Sequence, residues 1–251
     1  MSLKTLLLSF ALLALASCKT PNSYNKIEGK RIAIIDTLQP DQKIEAFIKP
    51  YREHVNSNLD SVISYAMDTY SKSDGKLNTA IGNLIADVMY EQANPVFKKR
   101  SGEDIDFVLL NHGGIRAIIS KGNITIRSAF EVMPFENSLV VTKLKGEQIT
   151  ELLNYLVEAK RPHPISRLKI TLDSDGNLKN SEVKGKPIDL NKSYYVLTND
   201  YLYNGGDRMD FFKKRDTTYV LDYKIRNALI DYLKKTDTIN PSIDDRFIQL
   251  K

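Results

Sequence analysis

Cysteine is almost missing from this chain. A single residue, Cys18, leaves no possibility of a disulfide within the chain. Histidine is nearly as scarce: His54, His112 and His163 stand far apart, with no Asp-x-His and no Gly-Asn-His-Asp/Glu around them. A two-metal hydrolytic site needs about six oxygen and nitrogen ligands, arranged across metals about 3.5–4 Å apart. This sequence lacks the usual imidazole share of such a set, so no metal ligand and no catalytic residue is assigned. Also missing are a Gly-x-Ser-x-Gly elbow, a P-loop and a Gly-x-Gly-x-x-Gly turn. The 36 basic and 31 acidic residues leave a net charge of +5, without any block of five like charges. That mixing argues against a nucleic-acid-binding tail, and nucleic acid is not an expected partner. No internal repeat is present.

The N-terminus supplies the first positive signal. Lys4 precedes an apolar run over residues 6–16, too short for a membrane span and shaped like a secretory leader. The run ends in Leu15-Ala16-Ser17-Cys18, which looks like a bacterial lipobox. Residues 1–17 are read as a lipoprotein signal peptide, Cys18 as the lipidated residue and 18–30 as a polar tether. An ordinary signal peptide with an incidental cysteine is the alternative. The expectation is an exported protein, lipid-anchored to a cell-envelope membrane and facing the periplasm.

Periodicity outlines the rest. Residues 31–36 read as a short strand. From Pro40-Asp41 a helical pattern carries Ile44, Phe47, Ile48, Tyr51, Val55, Leu59, Val62, Ile63 and Ala66, with Pro50 as a kink or break. This strand and connector helix occupy 31–73. A second helix starts at Thr79 as cap and ends before Pro95 or shortly beyond it. A strand follows over 105–110, an extended piece over 123–127, and a short helix capped by Ser128. A strand over 138–144 leads to an amphipathic helix over 147–159. Strands over 167–172 and 193–198, a hairpin signal at Asp175-Gly176, a helix over 222–233 and a last segment over 245–248 complete the chain. Helices and strands mix without strict alternation, which predicts an α+β fold: one domain of mixed sheet packed with helices, over 74–251.

Three loops could carry chemistry. Asn111-His112-Gly113-Gly114-Ile115-Arg116 follows a strand; its two glycines permit positive φ and close ligand approach, and its arginine suits phosphate or carboxylate. Pro134-Phe135-Glu136-Asn137 precedes a strand. Asn199-Asp200-Tyr201-Leu202-Tyr203-Asn204-Gly205-Gly206-Asp207 follows one. Each alone fits an ordinary turn. Together they suit a nucleoside: two aromatic faces for the base, a carboxylate for ribose hydroxyls and an arginine for phosphate. His54 reads as a surface residue and His163, between Pro162 and Pro164, as a loop residue. His112, beside the glycines, is the one histidine placed with the substrate.

The order of Gly82-Asn83-Leu84-Ile85-Ala86-Asp87, then residues 111–116, Pro134-Phe135, Thr198-Asn199-Asp200 and Asn204-Gly205-Gly206-Asp207 resembles the C-terminal, substrate-binding domain of 5′-nucleotidases. The resemblance covers about residues 40–251. It implies that Asn111 and Arg116 face the phosphate or sugar, that Phe135 and Tyr201 stack on the base, that Asn137 bonds its edge and that Asp207 holds the ribose. His112, Gly113 and Gly114 complete the expected substrate-binding set. The chain departs from the family pattern at His112, usually glycine, at Tyr201, usually phenylalanine, and upstream of Gly82, where Lys72 and Lys76 stand instead of arginine. The family's metallophosphoesterase domain has no counterpart here. The resemblance therefore implies the nucleotide-recognition subunit of a split 5′-nucleotidase, with two divalent metals on a separate phosphoesterase chain. The alternative is a non-catalytic nucleotide- or nucleoside-binding lipoprotein.

Overall fold

The computed structural model describes residues 26–251. The expected leader, Cys18 and the tether as far as residue 25 lie outside the described residues. The chain divides at 48/49 into two compact units, the first described from residue 26. Within that first unit the expected strand over 31–36 does not form: residues 26–35 have no regular secondary structure, and Ile32, Ile34 and Ile35 are exposed. Nothing else in 26–48 is extended and paired, so an isolated strand there has no ladder to join. Among the described residues no helix is long and apolar enough to cross a membrane.

Helix α1, Gln42–Leu59, begins where Asp41 Oδ1 accepts from the backbone N–H groups of Lys43 and Ile44, at 2.9 and 3.1 Å. It runs through Pro50 and buries none of its residues. It also stops seven residues short of Ala66. Val62–Ala66 is strand β1 instead, the centre of a three-stranded sheet. Its partners are β3 (Gly122–Thr125), antiparallel, and β11 (Thr238–Ile239), parallel. The helical spacing of Val62, Ile63 and Ala66 is overridden by these distant partners.

Helix α2, Ala80–Ser101, has the expected cap, with Thr79 Oγ1 accepting from Gly82 N at 3.1 Å. It continues six residues past Pro95 to Gly102, whose φ of 79° closes it. Burial explains the extension: Phe97 is wholly enclosed, its ring 5.2 Å from those of Tyr195 and Tyr219. Strand β2, Phe107–Leu109, follows; after β3, helix α3 spans Ile126–Val132. Its cap is Thr125, with Ser128 three residues on returning the bond, so Ser128 belongs to the capping box rather than being the cap itself.

Strand β4, Ser138–Lys145, and helix α4, Gly146–Ala159, match expectation closely. The pieces β5 (Ile165–Ser166), β6 (Leu168–Leu172), β7 (Leu178–Val183) and β8 (Lys186–Pro187) come next, β6 and β7 turning at Gly176, φ 87°. Strand β9, Ser193–Asn199, leads to the short helix α5, Asp200–Tyr203. Residues 217–224, expected partly as helix, form strand β10, Thr217–Lys224, on the edge of β4; helix α6 starts only at Ile225 and ends at Leu233. Strand β12, Phe247–Gln249, joins β6 in parallel.

The central sheet has the order β10-β4-β9-β2-β5, and β12-β6-β7-β8 makes a second one. Side-chain alternation splits the core in two. Val108, Leu139, Val141 and Leu197 meet α2 and α6 on one face, while Phe107, Leu109, Leu144 and Val196 meet α4 and Phe247 on the other. The α+β class expected from the sequence is the class observed.

Candidate functional site

Strand direction assembles the site. β2 and β9 run parallel, with Phe107 beside Val196 and Val108 beside Leu197. β4 runs antiparallel to β9, with Leu139 beside Asn199. The ends of β2 and β9 and the start of β4 therefore share one edge of the sheet. The three loops singled out in the sequence leave from that edge. A cleft of about 320 Å³ opens between them, lined by Asn111, Gly113, Gly114, Arg116, Phe135, Asn137, Tyr201 and Asp207. The loops are stitched together behind the cleft. Asn199 Nδ2 donates to Asn111 Oδ1 at 3.3 Å, and Ser138 N donates to Asp200 Oδ2 at 3.1 Å.

The glycine pair serves closeness rather than an unusual backbone. Residues 112–114 form one 3₁₀ turn, and neither glycine has a positive φ. A Cβ on Gly114 would stand 3.2 Å from Asn111 Oδ1, and one on Gly113 3.4 Å from Asn111 Nδ2. Asn111 is buried under this turn, while Arg116 is exposed, its guanidinium 5.8 Å from the centre of the Phe135 ring. Phe135 and Tyr201 are 48% and 46% exposed, which leaves ring faces on which a base could stack.

Tyr201 is fixed against the third loop. A Cβ on Gly206 would lie 2.5 Å from its ring, so only glycine allows this packing. The Tyr201 hydroxyl donates to Asp207 Oδ1 at 2.8 Å and accepts from Asp207 N at 3.2 Å. The bond to Asp207 raises the phenol pKa above its usual value. Asp207 itself is left-handed, φ 51° and ψ 22°, and Tyr155 donates to its carbonyl at 3.0 Å.

His112, placed with the substrate by sequence, is not among the residues lining the cleft. Its backbone N–H donates to Nδ1 of His163 at 3.3 Å, which sets the turn against the 162–164 loop. Burial lowers its pKa, with the charges of Lys72 and Arg161 adding to the effect. Neither Lys72 nor Lys76 lines the cleft. His163 lies in a loop, as expected, yet only 2% of it is exposed. Burial pushes its pKa down to about 4, so it is neutral at pH 7, with Nδ1 accepting and Nε2 carrying the proton. His54 is exposed on α1. Sequence reasoning missed the supports Asn199, Tyr155 and His163 as site residues. Asn199 carried a trace of its role as the polar end of β9, but Tyr155 and His163 carried none. Among the described residues no group of three His, Cys, Asp or Glu converges in a way that could hold a metal.

Known proteins resemble this chain in sequence and in fold. The family model described as 5′-nucleotidase, C-terminal domain, matches residues 57–214. Cell wall protein Lmo0130 of Listeria monocytogenes is 30% identical over 221 residues, 79% of this chain and 27% of its own length. A 5′-nucleotidase of Vibrio vulnificus is 27% identical over 194 residues, 72% of this chain and 32% of its own. The crystal structure of a 5′-nucleotidase precursor from Thermus thermophilus superposes with a TM-score of 0.69 at 28% identity, over 82% of this chain and 43% of that one. The chain thus spans about a third or less of the two curated relatives' length.

Proposed function

The chain belongs to the 5′-nucleotidase C-terminal domain family, and from that premise we propose that its cleft binds a nucleoside or nucleotide. The observation that carries this reading is the lining of the cleft: two exposed aromatic rings, one arginine and one carboxylate around about 320 Å³. That volume suits one small ligand. Phe135 and Tyr201 would hold the base, Asn137 its edge, Asp207 the ribose, and Asn111 and Arg116 the phosphate side. Arg116 would position a phosphate rather than help to break the ester.

In the fuller proposal the chain is the recognition subunit of a split 5′-nucleotidase. A separate metallophosphoesterase chain would hold two divalent metals and cleave the phosphate ester in nucleotide catabolism. The leader-like N-terminus, its Cys18 and the cell-wall relative support an exported, lipid-anchored protein. A non-catalytic binding lipoprotein has the same cleft and lacks only the partner.

Calorimetry with adenosine, guanosine, cytidine and uridine tests the pocket. Stacking on one ring is worth about 1–3 kcal/mol, so Phe135→Ala should weaken binding about 5- to 150-fold. Unchanged affinity in the Phe135→Ala, Tyr201→Ala double variant rejects the reading. Phosphate release from a nucleoside monophosphate with Mn²⁺ separates the split enzyme from the rest. Release is expected only when a metallophosphoesterase is added. Robust release by this chain alone after exhaustive metal stripping rejects the split.

A further inference from the structure

The loop bearing Phe135 and Asn137 is gripped from behind by three consecutive residues of a different element. β10 and β4 end their ladder with Lys224 beside Ser138, and the chain then turns into α6. That register lays Lys224, Ile225 and Arg226 against residues 134–137. Ile225 N donates to the Asn137 carbonyl at 3.0 Å. Arg226 Nη1 donates to the Pro134 carbonyl at 3.0 Å, and Nη2 meets the Glu136 carboxylate. Lys224 Nζ reaches the Glu136 carbonyl at 3.2 Å and its other carboxylate oxygen at 2.7 Å. Every residue of the loop except Phe135 itself is tied, and Phe135 stands out into the cleft.

Arg226 is an unusual choice for this position. Its side chain is 7% exposed, its Nε is buried with no partner among the described residues, and its guanidinium lies 4.0 Å above the Phe130 ring. Burying an arginine costs free energy unless its donors are well used. Glu136, by contrast, is 62% exposed, and the two cations hold its pKa near 2. The pair is therefore enclosed on the arginine side and open to water on the carboxylate side. It fixes the backbone on both sides of Phe135.

We propose that Arg226, with Lys224 and Glu136, is a positioning device that holds the Phe135–Asn137 loop in its ligand-ready conformation. The benefit for binding rests on the nucleoside reading above; the immobilisation of the loop does not. A preformed wall spares the ligand the ordering cost of a mobile loop side chain.

The chain contains no tryptophan, so Phe135→Trp places a single fluorescent reporter at the tip of the loop. In that background, Glu136→Gln and Arg226→Met are compared with the parent by time-resolved anisotropy. Both variants should show a larger amplitude of local tryptophan motion, with Arg226→Met the stronger. Glu136→Gln alters only a surface group, so it keeps the test decisive if Arg226→Met fails to fold. On the Phe135 background, nucleoside affinity should fall about threefold for Glu136→Gln and about tenfold for Arg226→Met. That loss should be equal for nucleoside and free base, because the loop meets only the base. Unchanged anisotropy in Glu136→Gln and Arg226→Met overturns the proposal, even if melting temperature falls. Increased motion in the two variants, with no nucleoside bound by the protein that retains Phe135, supports the device and rejects the ligand reading instead.

Discussion

Tyr201→Phe removes one oxygen and isolates what the hydroxyl does. The ring face stays, and so does its packing on Gly206. The hydroxyl's bonds to Asp207 are lost, 2.8 Å to the carboxylate and 3.2 Å from the amide. A hydrogen bond to a charged group contributes about 1.5–3 kcal/mol when shielded. Tyr201 is 46% exposed, so water can replace much of it, and about 1 kcal/mol is the working figure. The bond also acts against strain, since Asp207 and Arg208 are both left-handed, φ 51° and 62°. Such a conformation costs roughly 1–2 kcal/mol per residue, although aspartate tolerates it better than most. Without the hydroxyl, the Asp207 carboxylate loses its fixed direction towards the place proposed for the ribose. Calorimetry should show about fivefold weaker binding of a ribonucleoside, the equivalent of 1 kcal/mol. The free base and the 2′,3′-dideoxynucleoside should bind Tyr201→Phe and wild type equally. Equal losses for all three ligands, or no loss for any, would refute a role for the hydroxyl through Asp207.

His163 gives stability a pH dependence whose sign follows from its burial. Its folded pKa of about 4 lies below the value of about 6.5 for an unfolded chain. The unfolded state therefore binds more protons between those values, and stability falls as pH drops from 6.5 to 4, levelling off below. The full effect is of order 3 kcal/mol, read by urea unfolding as the difference between wild type and His163→Asn, since carboxylates titrate in both. Parallel curves for the two proteins would remove His163 from the account. Gly206→Ala tests the packing of the third loop: its new Cβ would sit 2.5 Å from the Tyr201 ring, which must swing away. Base affinity should fall by about one stacking interaction, 1–3 kcal/mol, in the same calorimetric assay. Retained affinity would mean that the ring does not depend on this contact.

The residues lining the cleft were legible because short motifs carry them. Asn111, Gly114, Phe135, Tyr201 and Asp207 lie in loops whose composition is itself the signal. The amphipathic α4 and the strands β4 and β9 were equally plain, because one period of burial decides each. The strands at 62–66 and 217–224 were not. Val62 and Tyr65 pair with Thr125, Asn123 and Thr238, and Thr217–Val220 pair with Val140–Lys143. Partners that distant leave no mark in a local window, where residues 62–66 and 222–224 fit a helix as well.

By itself the sequence determined the mixed α+β class, the family and the set of residues that could face a ligand. Only the tertiary structure decided that they meet, through the parallel pairing of β2 with β9 and the antiparallel pairing of β4. It also turned His112 off the cleft wall, buried His163 as a neutral imidazole and set Arg226 behind Phe135. Burial, register and ion pairing are properties of residues brought together from 51 to 92 positions apart. No single stretch of sequence holds them.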